Sequence, residues 1–444
     1  MDLQAALDAL DGYPVLCAYN ANVDGIRRVD ADLESVLGPP GDDPDGRLDS
    51  RSELAAAIAA TMNRGSGDER AMTDAFAADL ESSLAADEQR LGGQAGIMAD
   101  VLSSLGGSPV FYTYLLSGRQ RAQFTHPDGI RFPVAEGDEE GGEGELVLRR
   151  LEDAPPAEKT KLNWIFEFDA GDTFFGTTAA DASRFIAASR PDEFDLHTSV
   201  DGHAETLGER VGCAVLSGFH SVNREYESGE TFETCLDNAA SFVRGVGDHA
   251  RVQVELGVTH DPAIREKMRE AIVPEADVVS LDGRELDQLR DDLGVSVPTT
   301  EDGIVRRYET LEAVREQLEI GALSFHAKSY FLATFDDRYL PPAAVRDGFD
   351  VAAYVAAAKA EDGLVTGADD LGAATRFERS AKGIDAVDRL ADALDVPCED
   401  GVVASPGVVA VPNRVVETPA STVGIGDSVS VTSFALANAV AEER

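Results

Sequence analysis

Lysine is scarce in this chain. Only six of its 38 basic residues are lysine (Lys159, Lys161, Lys267, Lys328, Lys359 and Lys382), so arginine carries most of the positive charge. That charge is itself outnumbered: 82 acids leave a formal net charge of -44 and a pI near 4.3. Such a surface repels polyanions, which argues against nucleic acid and anionic membranes as partners. The acids run along the whole chain rather than gathering in one tail. Salt near 1 M shortens electrostatic screening to about 3 Å. The composition therefore suits a halophilic protein of a salt-rich cytoplasm, whose structure or activity is expected to fail in dilute salt. Cysteine is also sparse. Cys17, Cys213, Cys235 and Cys398 are far apart, form no CxxC pair and have no histidine cluster beside them. They read as small buried hydrophobes rather than metal ligands. No stretch approaches the roughly 18 uninterrupted apolar residues of a membrane span. Met1-Asp2-Leu3-Gln4 lacks the basic and apolar regions of a signal peptide.

Several stretches do carry chemistry. Near the C-terminus stands Ser421-Thr422-Val423-Gly424-Ile425-Gly426-Asp427-Ser428, followed by an apolar run over 429–440. The run reads as a buried helix, with Asp427 in its first turn behind a Gly-x-Gly loop. Free backbone N–H groups and the positive end of the helix dipole suit a phosphate there. A carboxylate beside such an anion hole can take the proton of an attacking hydroxyl. A tight turn with an acidic N-cap would have the same residues.

With 444 residues the chain can bury a large core and form more than one domain. A short helix is expected over 3–10. A strand at 13–19 should end in a polar turn, Asn20-Ala21-Asn22-Val23-Asp24-Gly25, where Asn22 and Asp24 offer an amide and a carboxylate to sugar hydroxyls. An ordinary turn rich in Asn, Asp and Gly fits as well. Residues 38–50 read as a loop, and 52–62 and 72–90 as helices. Gly92-Gly93-Gln94-Ala95-Gly96 opens a small-residue helix that lets a backbone or ligand approach closely. Strands are expected at 110–114 and 162–168, with an acidic hairpin or loop at 136–145 between them. Arg184 is either a surface charge or a phosphate clamp.

The second half alternates strands at 211–216, 252–256 and 277–281 with helices at 231–246 and 261–271. Glu255 lies inside one of those strands and needs a partner or a cation. A strand-like run at 323–335 holds His326, read as a satisfied core residue. Short strands at 402–405 and 408–411 lead into the glycine loop. Alternation of this kind predicts an α/β fold with a doubly wound, mostly parallel sheet covered by helices. The less regular first half fits a smaller lid. Expected boundaries are 1–20, 43–109 and 213–444 for the large domain, and 21–42 and 110–212 for the lid.

Six pieces together resemble the ADP-dependent sugar kinases, the glucokinase and phosphofructokinase group of the ribokinase-like fold. They are Asn20-Ala21-Asn22-Val23-Asp24, Gly92-Gly93-Gln94-Ala95-Gly96-Ile97, Ser183-Arg184-Phe185-Ile186, Leu216-Ser217-Gly218-Phe219-His220, Val254-Glu255-Leu256 and Thr422-Val423-Gly424-Ile425-Gly426-Asp427. They run in family order over nearly the whole chain. The resemblance implies Asp427 as base on the sugar hydroxyl, with Gly424, Ile425 and Gly426 donating N–H groups to the phosphoryl. It implies Asn22, Asp24, Gly93 and Gln94 around the sugar, and Arg184 on the nucleotide phosphates. Glu255 and Glu285, with Asp282 beside them, would organise Mg²⁺, largely through water. The partners implied are a small-molecule sugar and ADP as donor. Lys161, Arg184 and Arg190, in a chain so poor in lysine, favour fructose 6-phosphate over glucose. The chain departs from the family pattern at Asp282 (usually Asn), Gln253 (often His) and Ala21 (Thr). Two alternatives stand beside the leading reading: an ATP-dependent ribokinase-like sugar kinase, and a degenerate paralogue that binds sugar or nucleotide and regulates.

Overall fold

A computed structural model describes residues 3–42, 46–137, 144–190, 200–226, 229–259, 261–296, 302–420 and 423–443. Two sheets organise them. In the larger, seven neighbouring strands run parallel: Ala322–His326, Val278–Leu281, Arg251–Glu255, Cys213–Ser217, Pro14–Tyr19, Ser108–Tyr112 and Arg131–Glu136. Antiparallel strands extend both edges, Tyr330–Phe335 onward on one side and Glu145–Arg150 on the other, to make twelve among the described residues. Strands in such a sheet read as unbroken apolar runs because helices cover both faces. Cys213–Ser217 and Val278–Leu281 are accordingly buried at every position. The expected α/β fold with a doubly wound, mostly parallel sheet is the fold observed.

The smaller sheet has five strands in the order Asp68–Met72, Ser183–Ser189, Leu162–Phe168, Asn22–Arg28 and Glu88–Gly92. Its side chains alternate with period two. Val23, Trp164, Phe166, Phe185 and Ala187 pack with the helices Arg51–Arg64 and Asp74–Ser83 in a core of their own. Asp24, Ile26, Ile165 and Glu167 face the other way and line a cavity of about 500 Å³ between the lobes.

The sheets divide the chain differently from the expected boundaries. Residues 46–92, assigned to the large domain, build the helices and two edge strands of the small sheet. The strands Arg131–Glu136 and Glu145–Arg150, assigned to the lid, extend the large one, as does Ser108–Tyr112, which the expected boundary at 109/110 cuts. Sheet membership rests on pairings such as Phe185 with Asp68, across more than a hundred residues, which no local pattern carries. The helix expected over 72–90 ends at Ser83, and Glu88–Gly92 is a strand instead. That polar stretch has little strand propensity, and its pairing with Asn22–Ile26 overrides it. Asn22 and Asp24 lie on a strand rather than in a turn. The run at 323–335 is a hairpin, Ala322–His326 and Tyr330–Phe335, not one strand. The flanks of the acidic hairpin pair as expected, Glu136 opposite Glu145, while 138–143 lie outside the described residues.

The chain passes between lobes at Asn20–Ala21, at Gly93 and at Lys161, and leaves the small sheet again at Arg190. Hydrogen bonds lace these passages. Ala95 N donates to Asn20 O at 2.9 Å, Val23 N to Lys161 O at 2.9 Å, and Lys161 Nζ to Asn20 Oδ1 at 2.8 Å. Among the described residues no helix is long and apolar enough to cross a membrane. Cys17, Cys213 and Cys235 are buried and Cys398 is partly exposed, all four free.

Candidate active site

The apolar C-terminal run forms the helix Ile425–Glu443, with Asp427 in its first turn. Ser421 and Thr422 lie outside the described residues. Gly424 takes φ 68°, and a Cβ there would lie 2.8 Å from Ile97 Cδ1. The position thus demands glycine twice, by conformation and by contact. Ser428 ties the turn shut, its Oγ donating to Gly424 O at 2.7 Å. The first-turn N–H groups have no partner within the helix. At the carboxyl edge of a parallel sheet, such N–H groups suit an anion.

Acids gather around this loop. Burial pushes the Asp427 carboxyl up to about 6, and the charge of Lys359 opposes the shift. Glu255, at the end of its core strand, is pushed well above the carboxylate range by burial and by Asp427. Its Oε2 accepts from Gln94 Nε2 at 3.2 Å, but its buried Oε1 has no partner. Glu285 is raised to about 8 by burial and by Asp282. A buried carboxylate with one orphaned oxygen, near two more carboxyls, calls for a cation. Among the described residues no three ligating side chains close on one metal position. The unpartnered Glu255 Oε1 fits an ion that keeps part of its water, as Mg²⁺ does.

Asp282 has a different task. Its Oδ1 accepts from Arg284 N at 2.7 Å and Glu285 N at 2.8 Å, while Glu285 Oε2 accepts from Asp282 N at 2.7 Å. This is a reciprocal capping box at the start of the helix Gly283–Leu293. Asp and Asn serve equally at such a cap, so the departure from the expected family pattern at Asp282 leaves the cap intact. Gln253 is likewise absorbed by structure: its Nε2 donates to Ser430 Oγ at 2.8 Å, tying the strand to the C-terminal helix.

A second corner lies where the lobes meet. Asn22 Nδ2 donates to Asp24 Oδ1 at 2.6 Å. Any side chain at Gly92 would overlap both groups. Gly93 takes φ 76°, and a Cβ there would lie 2.6 Å from Asn20 O. Asp24 is raised to about 7 by burial, against the pull of Asn22, Arg184 and Lys161. Lys161 is only 3% exposed, and burial with the neighbouring Arg190 charge lowers it to about 8. Arg184 pairs across strands with Glu167, a cavity-lining residue, so it stands on the cleft face of the small sheet.

The two corners touch through the helix Gln94–Ser104. Gln94, its first residue, bonds Glu255 and approaches Asn20 Nδ2 at 3.5 Å, and Ile97 packs on Gly424. The expected residues Asn22, Asp24, Gly93, Gln94, Glu255 and Gly424 are thus brought together, with Ile425, Gly426 and Asp427 beside them. Three neighbours escaped the sequence reading. Asn20 stood in a quoted motif without a role. Lys359 is a charge inside the alanine run 356–360, which was the available signal. His326, expected as a satisfied core residue, instead lies against Gly426, lines a cavity of about 300 Å³ and has an unpartnered Nδ1. Strand position alone does not distinguish a core histidine from one at a strand's open end.

An acid behind a loop of free N–H groups, at the carboxyl edge of a doubly wound sheet and beside a second small sheet, suits a two-lobed sugar kinase. Residues 13–436 match the model of the ADP-specific phosphofructokinase/glucokinase conserved region. The chain belongs to that family. It is 28% identical over 380 residues to the ADP-specific phosphofructokinase of Thermococcus zilligii, covering 82% of this chain and 80% of the relative. It is 27% identical over 443 residues to the ADP-dependent glucose/glucosamine kinase of Pyrococcus furiosus, covering 95% and 93%. Among solved structures, a last common ancestor of ADP-dependent phosphofructokinases from Methanosarcinales superposes with a TM-score of 0.82 at 26% identity, covering 99% of this chain and 96% of that one. An ADP-dependent kinase in complex with fructose-6-phosphate and ADPbetaS gives 0.83 at 25%, covering 100% and 97%.

Proposed function

We propose that this protein transfers the β-phosphoryl group of ADP to fructose 6-phosphate in preference to glucose, releasing AMP. The observation that carries the acceptor choice is the pair Lys161 and Arg190. Lys161 is buried and bonds Asn20, and Arg190 stands near it with Glu69 3.6 Å away. Two cations beside the sugar residues Asn22 and Asp24 suit the phosphate of a hexose phosphate, which takes charge-assisted hydrogen bonds from both.

Asn22, Asp24, Gly93 and Gln94 hold the sugar hydroxyls and turn the attacking one toward the loop. Asp427 accepts its proton as the hydroxyl oxygen bonds to phosphorus and the bond to the AMP oxygen breaks. The N–H groups of Gly424, Ile425 and Gly426 meet the charge on the transferring group. Arg184 reaches from the small sheet to the donor phosphates. Closure of the small sheet excludes water as a competing acceptor. Glu255 and Glu285 would hold Mg²⁺ through water, with Asp282 fixing Glu285 by the capping box. The ion, when bound, neutralises phosphate charge. The strongly acidic surface supports work in a salt-rich cytoplasm.

A donor-by-acceptor matrix in high salt with Mg²⁺ tests the proposal. Turnover is expected with ADP and fructose 6-phosphate, AMP being the product. Turnover with ATP alone would replace the donor, and glucose outpacing fructose 6-phosphate would replace the acceptor. Nucleotide binding without turnover on any sugar would support a regulatory paralogue.

A further inference from the structure

Lys359 has no part in the roles above, yet it stands at the loop. It lies near the end of the long helix Pro342–Asp362, which packs along the C-terminal helix. Its side chain is 7% exposed. A Cβ on Gly424 would lie 3.4 Å from Lys359 Cε, so the ammonium lies within a bond or so of the anion loop. The same side chain lines the cavity between the lobes, together with Asp24 and Val423. Among the described residues it makes no ion pair within 4.0 Å; Asp427 and Asp100 act on it only at longer range. Its neighbours Ala356, Ala357, Ala358 and Ala360 are small, so packing does not call for a long side chain here.

A buried ammonium costs several kcal/mol of desolvation unless an anion answers it. The acids Asp427, Glu255 and Glu285 do not close on it. Its side chain borders the cavity between the lobes beside Val423, next to the loop. We propose that Lys359 is a catalytic residue whose ammonium contacts the equatorial oxygens of the phosphoryl group in flight. This rests on the phosphoryl-transfer reading above. The loop supplies N–H dipoles, and Lys359 adds a full positive charge carried by a helix of the large lobe. Charge placed where it develops acts on the transition state more than on bound ADP.

Lys359→Ala, in a helix already rich in alanine, is the test. With ADP and fructose 6-phosphate in high salt, kcat is expected to fall about 10²–10³-fold, the range for losing one oxyanion-hole donor. The dissociation constant of ADP, by calorimetry, should change less than about threefold, since ground-state contacts remain. Ethylammonium added to Lys359→Ala should restore turnover with saturation, and Lys359→Arg should keep at least a tenth of it, neither of which a packing role would produce. Turnover within about threefold of the parent in Lys359→Ala, or a loss that neither the amine nor arginine relieves, overturns the proposal. If Lys359→Ala fails to fold, Lys359→Arg decides alone: a folded Arg variant down more than about 10²-fold overturns it. If the parent protein itself shows no turnover, the transfer reading fails separately. Orthovanadate affinity in the presence of AMP then decides Lys359: a tenfold loss in Lys359→Ala supports it and no change overturns it.

Discussion

The two corners of the cleft are electrical opposites. Around the glycine loop stand three carboxyls, Asp427, Glu255 and Glu285, each raised by burial, with Lys359 as their counterweight. At the meeting of the lobes stand Lys161, Arg190 and Arg184, with Asp24 as theirs. Glu69, 3.6 Å from Arg190, meets part of the basic corner's charge. The acidic corner suits a cation and the basic one an anion. On the proposed reading these are Mg²⁺ and the acceptor phosphate, and the transferring group passes between them. An overall charge of -44 says nothing of this, because buried charge is set by local company rather than by the surface average.

The largest way to break the contrast is to remove the acidic corner's base. Asp427→Asn is expected to cut kcat by about 10²–10⁴-fold, the span of a lost general base, with ADP affinity little changed. In the parent, kcat/KM should decline as pH falls through about 6, since a carboxyl raised to that value is protonated below it and no longer accepts a proton. Near-normal turnover in Asp427→Asn would strip Asp427 of the role. The basic corner is probed next. Lys161→Met should raise KM for fructose 6-phosphate about 10- to 100-fold, as a lost charge-assisted hydrogen bond does. Any turnover of glucose should be unchanged. Equal losses on both sugars would mean that Lys161 holds the lobes rather than the phosphate. The smallest effect tests where the acidic corner ends. Asp282→Asn exchanges one good N-cap for another, so melting should shift by less than about 0.5 kcal/mol and turnover stay within about twofold. A large loss of activity with an intact fold would make Asp282 part of the metal site.

Much of this arrangement was legible in the chain. The glycine loop, its acid and the helix behind them announce themselves through a conformational demand and an apolar run, both local. So do the buried strands, whose apolar stretches have the length and bounding turns of a doubly wound sheet. The polar cluster at Asn22 and Asp24, the glycines before Gln94 and the acid Glu255 inside its strand stand out locally, while their roles at a site are what the family resemblance implies. The domain boundaries were not legible. Residues 46–92 carry helices and polar strands that would suit either lobe, and only the pairings of Asn22–Ile26 with Glu88–Gly92 and of Phe185–Ser189 with Asp68–Met72 assign them. Asp282 stood near the metal set only through the family resemblance, while in space its Oδ1 is taken by backbone N–H groups.

By itself, then, the sequence determined the local units and the residue types of the site. Helical and strand periodicity, and a glycine's need for positive φ, act over a few residues and are written in them. Tertiary structure decided which sheet each strand joined and which charges became neighbours. Lys359 meets Gly424 across 64 intervening positions of chain, beside an Asp427 whose shifted proton affinity exists only once burial removes water from it. Desolvation and proximity are properties of the packed molecule, so the electrical contrast between the two corners arises only in the fold.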